Sequence, residues 1–331
     1  MIGCKYTLLR HALLIAVLAT LCDCRSTAVI RSEVLTDLGA DNDAVASRFE
    51  AYKYKKKHCH FDSPTKSDYR VMLTGFGPFS GVEFNTSSLV AMNFADRFNQ
   101  SQSGLISPII SKDDADGITR QDVVTIGGLR VEVCAVSASV IWDLAAAIYL
   151  HEAQLFRPNL IIMAGMDGRE HEMGTWEHHA VNIAMPSHGY EADGSQSSVT
   201  PVSGSQTSEA EILKDGPAVL KMTWNATKLV EATQSIIRKE MPGFDVRTSD
   251  EETPGKYLCN NVSYLVLAGL RGVPLVLAGD RIKMQISGLD FTRAGFFHYP
   301  WSSKQDLQAV HIWSDVLEAA IRSQMNHNSV D

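Results

Sequence analysis

Three residues of this 331-residue chain have types and settings that suit chemistry: Cys259, His298 and Glu177. Cys259 falls in the first turn of a helix predicted over Tyr257 to Leu270, just after the Thr253-Pro254-Gly255 break. Free backbone N–H groups at a helix start stabilise a thiolate, so a thiol placed there is poised as a nucleophile. His298 closes the apolar run Phe296-Phe297-His298, where an imidazole suits a base that ionises the thiol and later protonates a leaving amine. Glu177 follows a buried strand, where open α/β sheets carry their sites, and a carboxylate there can orient the imidazole. Each also has a plainer reading: a Cys beside Leu258 on an apolar helix fills a core, and a lone His at a strand end is a satisfied structural residue.

Other groups of this kind point elsewhere. His171, His178 and His179 with Glu172 lack a His-Glu-x-x-His pattern or any helical spacing that converges them, so no metal is expected and no cofactor is implied. The run His58-Cys59-His60 reads as a solvated stretch, and Cys134, inside Val133-Cys134-Ala135-Val136, as a buried strand residue.

The elements that must position these side chains follow from periodicity. A short apolar strand at Tyr69 to Thr74 stops at Gly75, and a helix is predicted from Asn85 to Asn99. Two β-branched runs, Gln121 to Ile126 and Leu129 to Val136, flank Gly127-Gly128 as a hairpin. A helix from Val140 to Phe156 ends at Arg157-Pro158-Asn159, and Leu160 to Ala164 is a buried strand. A helix from Ala218 to Lys239, a strand at Phe244 to Thr248 and a closing helix from Asp306 to Met325 complete the order. Strand, helix, strand predicts a three-layer α/β/α sandwich with a twisted, largely parallel central sheet.

Composition bounds the rest. The chain is 45% hydrophobic and 21% charged, enough for a sizeable core, and its net charge of -8 gives no basic surface for nucleic acid. Residues 1–24 carry Lys5 and Arg10 beside the apolar run Ala12 to Leu21, which reads as a secretory signal peptide, or a signal anchor if uncleaved; no other stretch suits stable membrane insertion. Residues 25–67 read as a polar tail or pro-segment, with one weakly amphipathic piece at Val45 to Tyr52, ahead of a single domain over 68–326 that carries a flexible loop near 187–214. Losing the signal leaves Cys59, Cys134 and Cys259, an odd number that suggests no disulfide framework and at least one thiol left free or paired between chains. Asn-x-Ser/Thr sequons at Asn85, Asn99, Asn225 and Asn261 fit a secretory route.

Four separated segments, in order, resemble the type I pyroglutamyl peptidase family of cysteine exopeptidases. They are Thr74-Gly75-Phe76-Gly77-Pro78-Phe79-Ser80-Gly81 with Asn85; Glu177-His178-His179-Ala180-Val181-Asn182; Gly255-Lys256-Tyr257-Leu258-Cys259-Asn260 with Tyr264; and Gly295-Phe296-Phe297-His298-Tyr299-Pro300. Asp215-Gly216-Pro217-Ala218 matches a further stretch, and the likeness runs from about residue 69 to 325. The resemblance implies a hydrolase that removes N-terminal pyroglutamyl residues from peptides, with a Cys259–His298–Glu177 triad and a ring pocket from Phe76, Phe79 and Asn85. It also implies a cytoplasmic location as the alternative to secretion. Met166 stands where many members carry Gln or another residue touching the ring, and His178 where a basic Arg or Lys is usual. About two extra residues precede Glu177, which makes Glu170 and Glu172 rivals for the acidic role. These departures leave two other readings open, a hydrolase of altered N-terminal specificity and an inactive relative kept as a secreted binding protein.

Overall fold

The computed structural model describes residues 42–60, 67–77, 85–96, 117–170, 172–184, 211–249, 255–301 and 307–325. The expected signal segment, Phe79, His171, Asn99 and most of the loop expected over 187–214 lie outside these residues. In chain order the first half runs α1 (Asn42–Lys53), β1 (Tyr69–Phe76), α2 (Thr86–Asp96), β2 (Ile118–Ile126), β3 (Leu129–Ala138), α3 (Leu144–Phe156), β4 (Leu160–Glu170) and β5 (Met173–Trp176). The second runs β6 (His179–Val181), β7 (Val219–Lys221), α4 (Ala226–Glu240), β8 (Asp245–Thr248), α5 (Leu258–Leu270), β9 (Leu275–Leu277), β10 (Ile282–Met284), β11 (Arg293–Trp301) and α6 (Leu307–Met325).

Seven strands form the central sheet in the order β2-β3-β1-β4-β11-β5-β8. Strands β3, β1, β4 and β11 are mutually parallel, β2 returns antiparallel on β3 through the Gly127-Gly128 turn, and β5 runs antiparallel to β11. Helices α2 and α4 each pack on α6, and α1 and α5 each pack on α3, giving the expected three layers. Covered on both faces, the inner strands read as unbroken apolar runs: Val71, Met72 and Leu73 in β1 and Leu160 to Met163 in β4 are buried.

Two helix starts move for visible reasons. Asp143 has φ 62°, in the left-handed region, so α3 begins at Leu144 rather than Val140. Residues Val219–Lys221 pair with β6, so α4 begins only at Ala226, where the Asn225 side chain caps it by accepting from the Lys228 N–H.

Part of the segment expected to be a polar tail or pro-segment packs onto the domain. Val45, Phe49 and Tyr52 are buried along one side of α1, and Cys59 is bonded to Cys134 of β3 across 75 positions of sequence. The expectation of no disulfide framework is corrected for two of the three cysteines, while Cys259 stays free as expected: Cys134 is buried, but as one end of a bridge. Three apolar residues in a polar stretch give too weak a stripe to read, and connectivity among three cysteines does not follow from spacing. The Gln121 side-chain amide anchors the segment further, because the His60 N–H donates to Gln121 Oε1 and Gln121 Nε2 donates to the His60 carbonyl.

Candidate active site

The carboxyl ends of β4 and β11 and the start of α5 meet at one edge of the sheet, where open α/β folds place their sites. His298 of β11 lies in register with Gly165 of β4 and Thr175 of β5. Glu177 follows β5 directly. Its N–H donates to the Phe296 carbonyl at 2.9 Å and its carbonyl accepts from Trp224 Nε1 at 3.0 Å, so its backbone is held from both sides. The carboxylate thereby reaches the imidazole, with His298 Nδ1 2.7 Å from Glu177 Oε1 and the two side chains 19% and 14% exposed. Cys259, half-buried and the free cysteine among the described residues, acts on the same imidazole from close by. With Nδ1 on Glu177, the nitrogen facing the thiol is Nε2.

Burial alone would push His298 down. The Cys259 thiol and the Glu177 carboxylate outweigh it and hold the imidazole well above the ordinary histidine value. The arrangement therefore favours a protonated ring between two groups able to carry negative charge. Cys259 is the second residue of α5, and Tyr257, in extended conformation before the helix, gives it no side-chain cap. The N–H groups of that first turn have no carbonyl one turn back to bond, which leaves them for a thiolate or an oxyanion.

Gly165 makes room for the sulfur. A Cβ there would stand 2.8 Å from Cys259 Sγ and 3.0 Å from the Phe296 ring. Other motif residues brace rather than react. Asn260 accepts from the Val181 N–H at 2.8 Å and donates to the carbonyls of Val181 and Ile183 at 2.9 and 2.8 Å, tying α5 to the strand after Glu177. Asn182 accepts from the Leu213 N–H and donates to the Leu213 carbonyl, and the Tyr264 hydroxyl donates to the Pro217 carbonyl. Sequence reasoning quoted these three residues without a role, and missed Trp224 and Gly165. The sole signal for Gly165 was a small residue closing a buried strand.

Beneath the first turn of α5 lies Asp143, fully buried, its Oδ2 accepting the Ala278 N–H at 2.7 Å and its own N–H facing Asn261 Oδ1 at 3.5 Å. Burial pushes this carboxyl up to about 7, against the downward pull of Ala278 and Asn261.

The expected ring-binding residues gather at the start of α2. Asn85 donates from Nδ2 to the Gly77 carbonyl and accepts through Oδ1 from the Ser87 N–H and hydroxyl, so its amide is engaged in capping the helix. Met166, one residue past Gly165, accepts the Thr86 N–H on its sulfur at 3.3 Å. Phe76 is buried against Tyr149, and its N–H donates to Ser87 Oγ. Phe79 lies outside the described residues. Of the rival acids, Glu172 is exposed, and the Glu170 side chain also lies outside the described residues. Asn85 and Asn261, two of the sequon asparagines, are buried, whereas Asn225 is exposed.

No protein-family profile and no curated protein matches the sequence. Solved structures do resemble the fold. Pyroglutamyl peptidase I from Bacillus amyloliquefaciens matches with a TM-score of 0.50 at 19% identity, over 78% of this chain and 96% of that one. Pyrrolidone carboxyl peptidase from Thermococcus litoralis matches with a TM-score of 0.50 at 18% identity, over 78% of this chain and 94% of that one. At such identity the likeness is one of fold.

Proposed function

We propose that this chain is a cysteine peptidase that removes N-terminal pyroglutamyl residues from peptides. The observation that carries the reading is the chain of contacts from Glu177 through His298 to Cys259 at the carboxyl edge of the sheet. The motif resemblance supplies the substrate class, and the fold shared with peptidases of that name is consistent with it.

In the proposed mechanism His298 Nε2 takes the thiol proton while Glu177 stabilises the imidazolium at Nδ1. The thiolate attacks the pyroglutamyl carbonyl carbon, and first-turn N–H groups of α5 hold the oxyanion. Collapse breaks the C–N bond, and the imidazolium proton goes to the departing amine. Water, deprotonated by His298, then cleaves the thioester and regenerates the thiol. A neutral lactam suits a pocket with aromatic walls, and a charged N-terminus is rejected because burying an unpaired ammonium is costly.

The Cys59–Cys134 bridge supports the secretory route expected from residues 1–24, since disulfides persist in oxidising compartments. A second reading, altered N-terminal specificity, draws on Met166 and on the engagement of the Asn85 amide within its own helix cap.

The test is release of a fluorogenic amine from its pyroglutamyl amide by the parent protein and by Cys259→Ala. Turnover by the parent that is abolished in the variant is expected. No turnover by the parent, or equal turnover by both, refutes the proposal. Turnover of prolyl or acyl amides in place of the pyroglutamyl one selects the second reading.

A further inference from the structure

Where α1 and the bridged segment dock on α3, two imidazoles and a carboxylate converge. One ligand atom from each of His58, His151 and Glu152 lies within 4.8 Å of the others. We propose that His58 and His151 bind a divalent cation of the zinc class, with Glu152 holding the His58 ring in place.

Glu152 is the buried anchor, its side chain 0% exposed. It accepts from the Tyr52 hydroxyl and the Cys59 N–H at 2.6 Å each, and its Oε1 meets His58 Nδ1 at 2.5 Å. A histidine whose one nitrogen is fixed on a carboxylate presents the other as a lone-pair donor, the arrangement that orients metal-ligating imidazoles. That other nitrogen, His58 Nε2, is shielded from solvent, has no hydrogen-bond partner, and belongs to a side chain only 10% exposed. The His151 ring stands edge-on to it, centroids 5.3 Å apart.

Two imidazoles, one of them backed by a carboxylate, suit zinc, copper or nickel, whereas calcium and magnesium take oxygen ligands. The half-buried position of His151 leaves an open side for water to complete the coordination. The surrounding charges are accounted for: Lys53 is paired with Glu50, and Lys55 donates to the Gly117 carbonyl while lying over the Tyr52 ring. Because His58 belongs to the segment before β1 and His151 and Glu152 to α3, a bound ion would join the two a second time, next to the Cys59–Cys134 bridge.

The experiment uses the full chain carrying Cys259→Ala, so that the thiol contributes nothing and the outcome is independent of the proposed peptidase activity. Zn2+ is titrated by calorimetry, retained zinc is counted by mass spectrometry after gel filtration, and Co2+ is followed by visible absorption. One zinc per chain and Co2+ d–d bands without a thiolate charge-transfer band are expected. His151→Ala and His58→Gln should each weaken zinc binding by at least about tenfold, the range typical for loss of groups around a metal. Absence of retained zinc and of d–d bands in the unmutated site overturns the proposal whatever the variants do. So does zinc affinity unchanged in both histidine variants.

Discussion

Asp143→Asn is expected to raise stability, and increasingly so as pH rises. The folded protein holds the Asp143 proton up to about 7, whereas the ordinary carboxyl value is 3.8. Between those values the unfolded chain has released a proton that the native state keeps, so the native state loses stability as pH climbs. Above the folded value the loss levels off. Roughly three pKa units at about 1.36 kcal/mol each set it at about 4 kcal/mol, a ceiling because relaxation and solvent penetration reduce it. The amide cannot ionise, and its oxygen can accept the Ala278 N–H as Oδ2 does now. Urea unfolding of parent and variant from pH 4 to pH 8 gives the difference directly. Near-equal stability at pH 4 and a variant more stable by about 2–4 kcal/mol at pH 8 is expected. Parallel curves across that range, or a variant less stable at pH 8, would refute the burial account. The position matters because Asp143 lies against Asn261, two residues from the proposed nucleophile, so a destabilised carboxyl is stored beside the site.

Three further predictions follow from the same geometry. Glu177→Gln removes the charge that helps hold His298 protonated, so kcat/KM should drop by about 10²–10⁴ and the alkaline limb of its pH profile should move to lower pH; an unmoved limb contradicts the assigned role. Gly165→Ala puts a methyl 2.8 Å from Cys259 Sγ, and both iodoacetamide labelling of Cys259 and turnover should fall by at least about tenfold. Labelling at the parent rate would mean that the sulfur does not sit there. Cys59→Ala with Cys134→Ala should lower unfolding stability by about 2–5 kcal/mol in urea, since a closed loop of this length corresponds to about 4.5 kcal/mol of chain entropy. A loss under about 1 kcal/mol would show that packing alone seats α1.

How much of this was legible depends on which physics leaves a mark in sequence. The apolar runs of β1 and β4 and the Gly127-Gly128 hairpin were plain, because burial on both faces and a two-residue turn restrict residue type locally. The contact between Glu177 and His298 was legible through motif order, although the two are far apart in the chain. The roles of Asn182, Asn260 and Tyr264 were not, because these side chains bond backbone atoms, and a backbone carbonyl carries no residue identity. The cap that the Asn85 amide makes on α2 was hidden for a related reason, because an Asn beside a helix start suits a cap and a ligand contact alike. The docking of α1 escaped because Val45, Phe49 and Tyr52 are sparse, and Glu152, the polar anchor beneath them, reads as one more charged residue of an amphipathic helix.

The bridge between Cys59 and Cys134 also makes a covalent ring of the chain between them, enclosing β1, α2, β2 and the first half of β3. A protease that cuts once inside this ring separates no fragment. The two new ends stay on one molecule of unchanged apparent size, gaining a single water in mass, and migrate together until a reductant opens the ring. Purified protein of this kind can thus look intact on a non-reducing gel while carrying a broken backbone, and only the paired reducing lane tells the two apart.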